Sequence, residues 1–248
     1  MKRVVGLFLL ILVFVINANA QGFGQQSRQL VDLPTAGTLE RGSFAIDIRM
    51  YNNGGLIGGV GVGISPRFMF GLSFGGENII GEGGVNWNQN PGIQARFRII
   101  DESFGMPAVI IGFDSQGYGA YREDSKRYAN KSRGFFGAVS KNYAFFYNLG
   151  LHGGVNYSLE TDDEKGINFF LGTDLNLNRE VRIILEYDFA INDNSTEAQF
   201  GSGSGYLNAG AQWSFSDRLF LQFNLKNLLK NGPGQVTREF KIGYFEYF

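Results

Sequence analysis

Hydrophobic and polar residues alternate along most of the chain, with the two-residue period of a β-strand that has one apolar and one polar face. In residues 143–157, for example, Leu149 and Leu151 point one way, whereas Asn148 and His152 point the other. An apolar face suits lipid and a polar face suits a lumen, so the pattern predicts an all-β fold, a transmembrane antiparallel up-and-down β-barrel of about 12 strands. The predicted strands are residues 43–51, 56–64, 67–74, 92–100, 107–114, 134–141, 143–157, 167–177, 181–189, 205–215, 219–226 and 237–248.

The lengths of the connections support this strand number. Counted from an N-terminus on the periplasmic side, the inner turns are short, as at residues 65–66 and 216–218. The outer connections are mostly long, polar or rich in glycine, as at residues 75–91 and 115–133. Short periplasmic turns and longer outer loops are typical of bacterial barrels, although ten or fourteen strands are alternatives because each strand signal is weak alone.

The N-terminus predicts export from the cytoplasm. Lys2 and Arg3 precede an apolar run at residues 4–16, and the small residues Ala18 and Ala20 follow it, as in a cleaved secretory signal peptide. The run is shorter than the roughly 20 residues that a membrane-spanning helix needs. We therefore expect a signal peptide at residues 1–20.

After the signal, the chain divides into a short lead and the barrel. Residues 21–42 precede the first strand and are expected to be a periplasmic lead or a partial plug, and residues 43–248 form the outer-membrane barrel. The last strand ends in Phe248, with Lys241 and Gly243 before it. This ending resembles the C-terminal signal read by the barrel-assembly machinery of the outer membrane, which is expected to be a partner during insertion.

Composition removes several classes of function. Loss of Lys2 and Arg3 with the signal shifts the formal net charge from −1 to about −3, which argues against a nucleic-acid partner because phosphates require a basic surface. The chain has no cysteine, so disulfides, thiolate catalysis and Cys-based metal sites are excluded. The sequence predicts no cofactor, no metal site and no catalytic residue.

His152 is the one histidine of the chain, and it raises the question of a Ser-His hydrolase. Barrel hydrolases of the outer-membrane phospholipase type carry a serine two residues after the histidine, but here that residue is Gly154. Ser158 lies nearer the outer loop. We therefore favour an imidazole whose hydrogen bonds are satisfied in the lumen.

Charged residues gather on the predicted lumen face in equal numbers of acids and bases. Opposed charges beside low-dielectric walls are retained chiefly when they are paired, so they predict a braced and largely plugged core, with an open polar path as the alternative. The predicted lumen network is Asp47, Arg49, Arg96, Arg98, Asp114, Asp174, Arg182, Glu186, Asp188, Lys226, Glu239 and Lys241.

The longest outer connection contains a cluster of basic and aromatic residues. At the cell surface this cluster would attract lipopolysaccharide phosphates or an acidic polysaccharide, and its tyrosines would stack on sugars. A solvated loop resting on anionic head groups is the alternative. The predicted contact residues are Arg122, Lys126, Arg127, Lys131, Arg133, Tyr118, Tyr121 and Tyr128.

Several short runs, in order and spacing, resemble the YjbH-like family of outer-membrane β-barrel proteins. The resemblance implies an association with the production and export of exopolysaccharide or capsule, and it supplies no catalytic residues. The runs that carry it are residues 90–121, 131–141, 153–160, 186–193 and 205–213.

Together these features predict a non-enzymatic outer-membrane barrel that assists the export or surface retention of exopolysaccharide. The alternatives are a small-solute channel and a structural barrel that recruits periplasmic partners. Expected partners are outer-membrane lipid and lipopolysaccharide, together with polysaccharide or periplasmic export proteins.

Overall fold

The computed structural model of the protein describes residues 27–160, 164–194, 201–231 and 235–248. The predicted signal peptide, residues 1–20, lies outside these ranges. The described residues contain no helix long and apolar enough to span a bilayer. Their strands are β1 (Ser43–Tyr51), β2 (Gly55–Ser65), β3 (Phe68–Glu77), β4 (Asn86–Trp87), β5 (Gly92–Ile100), β6 (Ala108–Asp114), β7 (Tyr118–Arg122), β8 (Arg127–Asn130), β9 (Gly134–Tyr143), β10 (Asn148–Tyr157), β11 (Asn168–Asn176), β12 (Val181–Asp188), β13 (Tyr206–Ser214), β14 (Leu219–Lys226) and β15 (Thr237–Tyr247).

Twelve of these strands close into one barrel. Each pairs antiparallel with its neighbour in the order β1-β2-β3-β5-β6-β9-β10-β11-β12-β13-β14-β15, and β15 pairs back with β1. In that closing pair Ser43 lies opposite Tyr247 and Arg49 lies opposite Lys241. Closure leaves the barrel sheet without an open edge, and the predicted twelve-strand antiparallel barrel is confirmed.

The outer face of the barrel is apolar. Side chains that alternate with the lumen-facing ones are exposed, including Val60, Leu72, Phe135, Phe169 and Trp213. Such a surface is costly in water and favourable in hydrocarbon, and a closed barrel satisfies its backbone hydrogen bonds without solvent. The fold is therefore that of an outer-membrane protein, as predicted.

The predicted strand bounds differ most from the structure at β10. The alternation places its start at residue 143, whereas the strand begins at Asn148. Residues 144–147 form the inner turn instead, with Phe146 at a φ of 51°, so the turn is longer than the single residue expected there. In the outer connections the pattern also missed β4 and the β7–β8 hairpin.

The luminal segment, defined as residues 27–42, lies inside the barrel as far as residue 39, and Glu40 and Arg41 are exposed. Leu30, Leu33 and Leu39 are fully buried. Leu33 packs in a cluster with Ile110, Phe136 and other residues of β6, β9 and β11, and Leu39 packs against Ala45 and Met69. The hydrophobic core of the described chain is thus formed between this segment and the inside of the barrel wall.

Candidate functional site

Glu186 of β12 binds the turn at the tip of the luminal segment. Its carboxylate accepts hydrogen bonds from three consecutive backbone N–H groups, those of Val31, Asp32 and Leu33, each at 2.9 Å. These donors have no strand partner and are buried, so a charged acceptor removes a desolvation cost that would otherwise oppose the plugged arrangement. Asn208 donates a further bond of 2.7 Å to the same carboxylate.

Two arginines of β5 bind the backbone oxygens of the same segment. Arg96 donates to the carbonyl oxygens of Arg28 at 2.5 Å and Gly37 at 3.2 Å, and Arg98 donates to the carbonyl oxygen of Ala36 at 2.9 Å. Strand β5 therefore donates hydrogen bonds to the backbone oxygens of the segment, while Glu186 on β12 accepts hydrogen bonds from its backbone N–H groups.

A four-charge cluster ties the tip of the segment to β1, β14 and β15. Asp32 lies 3.1 Å from Arg49 and 2.7 Å from Lys226, measured between nitrogen and oxygen. Glu239 lies 3.0 Å from the same arginine and 3.4 Å from the same lysine. The cluster contains two acids and two bases, so its formal charge is balanced, and breaking one such buried pair typically costs about 3–5 kcal/mol.

All twelve charged residues predicted for the lumen lie on barrel strands. Asp47 pairs with Lys241 at 3.2 Å and with Arg28 of the luminal segment at 2.7 Å, and Asp174 lies 3.7 Å from Arg182. Asp114 has a different environment, because it accepts hydrogen bonds from Gln94 and from the backbone of Gln116. The sequence pattern missed the contribution of Arg28 and Asp32, since these residues precede the first strand and belong to no alternating run.

The structure brings Ser140 and Asp174 to the two ring nitrogens of His152. Ser140 Oγ lies 2.7 Å from Nδ1, and Asp174 Oδ1 lies 2.6 Å from Nε2. The three side chains come from the adjacent strands β9, β10 and β11, where Ser140 lies opposite His152 and Gly172 lies opposite it on the other side. Sequence reasoning missed Ser140 because strand register, which brings it beside His152, is not visible in one sequence.

These three residues have the composition of a hydrolase triad, but Ser140 is not accessible to a substrate. Ser140 is 5% exposed, and its Oγ already accepts a hydrogen bond of 2.8 Å from the backbone N–H of Ala36. A nucleophilic serine needs a free approach to a carbonyl carbon beside an oxyanion site. In this arrangement the luminal segment occupies that approach, so the contacts describe a structural tie.

The basic cluster of the longest outer connection folds inward instead of facing outward. Arg127, at the start of β8, is fully buried and pairs with Asp193 through two bonds of 2.8 and 3.1 Å. Lys131 donates to the backbone oxygens of Asn192 and Glu164, both at 2.9 Å. Arg133 pairs with Asp188.

The tyrosines of the β7–β8 hairpin are also largely enclosed. Tyr118 is 6% exposed and receives the cations of Arg49 and Lys226 on its ring, at 4.6 and 4.8 Å from the centroid. Tyr121 packs edge-on to Tyr128 at 5.1 Å, and burial raises the pKa of Tyr128 to about 12. Burial also raises the pKa of Glu160, whose carboxylate accepts the backbone N–H of Tyr128.

The expectation of one exposed basic patch is therefore corrected. Arg122 and Lys126 at the hairpin tip are exposed. The buried members are Tyr118, Arg127, Tyr128, Lys131 and Arg133. The physical reason is that acidic and carbonyl groups pair with these cations inside the mouth of the barrel. These groups are Asp188 at the outer end of β12, together with Glu164, Asn192 and Asp193 in the connections before β11 and after β12.

A cavity of about 490 Å³ remains beside the luminal segment. Its inner end is lined by side chains near the periplasmic turns, among them Arg182 and Gln212, and its outer end is lined by Gln116 and by Tyr118 of β7. Between these ends the wall includes Gly59. The arrangement offers polar groups over a large part of the barrel height, next to a segment that fills the remainder.

Comparisons with known proteins identify no family for this sequence. No protein-family model and no curated protein matches it. Among solved structures, the chain is similar to KdgM porin, with 9% identity, 83% of this chain and 99% of that chain covered, and a TM-score of 0.48.

Two further solved structures are similar at a comparable level. An outer membrane channel from Pseudomonas putida F1 shares 13% identity over 87% of this chain and all of its own, with a TM-score of 0.46. Salmonella typhi OmpF shares 14% identity over 77% of this chain and 61% of its own, with a TM-score of 0.35. At these identities and TM-scores the likeness carries no information about function.

Proposed function

We propose that the protein is a non-enzymatic outer-membrane channel for small polar solutes, in which the luminal segment restricts the lumen. The observation that carries the proposal is the cavity beside that segment, which is lined at its inner end by Arg182 and at its outer end by Gln116. A barrel of this size lies between small filled barrels and the water-filled porins of sixteen or more strands. A narrow polar path is the arrangement expected at this intermediate strand number.

The lining and the volume of the cavity favour small solutes. Amides, hydroxyls and charged groups line it, including Ser73, Gln94 and Gln212, and they replace part of the hydration of a polar solute. A cavity of about 490 Å³ is comparable to the pockets of roughly 300–1,000 Å³ that bind small molecules. An extended polymer would require displacement of the luminal segment.

The polysaccharide role predicted from the sequence receives less support. It depended on basic residues of the outer connection as a cell-surface contact, and Arg127, Lys131 and Arg133 are instead paired inside the barrel mouth. No family match supports the YjbH-like resemblance, which stays a prediction. Of the five basic residues, Arg122 and Lys126 are exposed.

Conductance in planar bilayers, combined with swelling of liposomes in sugars of increasing size, tests the channel proposal. We expect the full chain to conduct ions weakly and to admit monosaccharides while excluding trisaccharides. A variant lacking residues 27–36 is expected to conduct several-fold more, because the cavity then widens to the whole lumen.

Absence of conduction would contradict the channel proposal. If neither the full chain nor the folded deletion variant conducts ions or admits sugars, the channel proposal is wrong. That result would favour the alternative of a closed barrel that recruits periplasmic partners.

A further inference from the structure

A continuous line of hydrogen bonds connects the luminal segment to the only histidine. The backbone N–H of Ala36 donates to Ser140 Oγ at 2.8 Å, Ser140 Oγ contacts His152 Nδ1 at 2.7 Å, and His152 Nε2 contacts Asp174 Oδ1 at 2.6 Å. Gly150 makes room for the last contact, because a Cβ at that position would overlap the carboxylate of Asp174. The line is buried, with the side chains of His152 and Asp174 each 6% exposed.

Each hydrogen-bond donor along this line faces an acceptor when the imidazole ring is in one particular protonation state. A neutral imidazole carries its proton on Nε2, where it donates to Asp174, and leaves Nδ1 to accept the hydroxyl proton of Ser140. The serine oxygen is then free to accept the N–H of Ala36. Every hydrogen of the line has an acceptor, so the neutral ring and the docked segment stabilise each other.

Protonation of the ring removes this agreement. Nδ1 gains a hydrogen and becomes a donor, so the hydroxyl proton of Ser140 loses its acceptor and Ser140 Oγ must accept two donors at once. A buried polar group without a partner is costly. The attachment of Ala36 to the wall is therefore weaker when the imidazole is charged.

Charged groups on the surrounding elements act on the same ring. Asp174 on β11 contacts the ring directly, and Arg182 on β12 lies 3.7 Å from Asp174. Arg98 on β5 reaches the line from the luminal side, since it donates to the carbonyl oxygen of Ala36. On β9 the side chain that contacts the ring is Ser140, which carries no charge.

We propose that Ala36, Ser140, His152 and Asp174 form a proton-sensitive latch that holds the luminal segment when His152 is neutral and loosens it when His152 is charged. Histidine is the side chain that ordinarily changes charge between about pH 5 and pH 8. An outer-membrane protein is in contact with the external medium and its pH. The latch acts on docking of the segment, so it does not depend on whether the lumen conducts ions.

Thiol labelling measures the docking directly, because the chain has no cysteine. A Thr38→Cys variant carries one reporter in the luminal segment, where Thr38 is 8% exposed. A Phe104→Cys variant carries one on an inner turn, where Phe104 is 75% exposed. The ratio of their maleimide labelling rates in detergent micelles, at each pH from 5 to 8, cancels the intrinsic pH dependence of the thiol.

We expect the labelling ratio to rise about fivefold from pH 8 to pH 5, the effect of losing one hydrogen bond. In the His152→Gln background the ratio should stay low at every pH, since the amide presents one acceptor and one donor and does not titrate. In the Ser140→Ala background it should be high at every pH. Ser73→Ala is the matched control, because Ser73 is a lumen-facing serine that bonds Gln116 instead of the segment.

Two results would overturn the latch. One is a ratio that does not change between pH 5 and pH 8 in the otherwise unaltered chain. The other is a pH dependence of unchanged size in the His152→Gln background, which would assign the effect to another group. Each variant is first checked for the folded barrel by its altered gel mobility before and after heating, so that loss of folding is recognised separately.

Discussion

The two sides of the lumen are built from different residues. On the side of β9 to β12, here named the packed wall, the luminal segment meets large or charged side chains, including Phe136, Phe170 and Glu186. On the side of β2 and β3, named the cavity wall, several lumen-facing residues are small, including Gly59 and Ser73, and they border the cavity, while Met69 contacts Leu39 of the segment. The size of the side chains on each wall thus decides where the segment packs and where space remains.

The contrast shows how one barrel can be both plugged and partly open. Dispersion and hydrophobic contacts on the packed wall require close fit, and the buried backbone of the segment requires acceptors there. The part of the cavity wall that borders the cavity has neither demand, because a polar cavity can be filled with water. Variants that alter one wall and leave the other unchanged should therefore have effects of very different size.

The largest effect is expected from Glu186→Ala on the packed wall. This change leaves the N–H groups of Val31, Asp32 and Leu33 buried without their acceptor, so the free energy of unfolding should fall by about 3 kcal/mol or more. Urea titration of the barrel folded into lipid vesicles measures it. Ser73→Ala on the cavity wall is the control, with an expected loss of about 1 kcal/mol or less, because Ser73 bonds Gln116 instead of the segment. Equal losses in the two variants would contradict the contrast.

Two glycines give a smaller and more closely matched comparison. At Gly154 of the packed wall an added Cβ would overlap the backbone oxygen of Gly137 and the ring of Phe170, whereas at Gly59 the nearest atom would be Ser73 Cβ at 3.5 Å. Gly154→Ala should lower the free energy of unfolding by about 1–3 kcal/mol through overpacking. Gly59→Ala should change it by less than about 0.5 kcal/mol. The same urea titration decides, and a larger loss at Gly59 would show that the cavity wall is the closely packed one.

Much of the barrel could be predicted because its lipid face and its lumen face differ in polarity at every second residue. The bounds of β1, β5 and β14 agree with the structure for this reason. The direction of the β7–β8 hairpin could not be predicted in the same way. It depends on pairs such as Arg127 with Asp193, which are far apart in sequence and belong to connections without alternation.

The lumen site shows the same limit. Charged residues such as Asp47 and Glu239 could be predicted to face inward from their strand positions. Their partners could not, because Arg28 and Asp32 come from a segment before the first strand, and the contact of Ser140 with His152 depends on register. A one-residue change in register would turn Ser140 to the lipid face.

The smallest expected effect comes from a substitution that tests whether ions pass along the cavity wall. Gly59→Leu places a side chain in the cavity, so we expect the single-channel conductance to fall by roughly half, since a narrower lining restricts conduction. Gly58→Leu is the matched control: the neighbouring residue faces the opposite side of β2, towards lipid, where leucine is favourable. Conductance in planar bilayers should therefore be unchanged in the control. If both variants conduct like the unaltered chain, ions do not pass along the cavity wall, and a path on another side of the luminal segment must carry them.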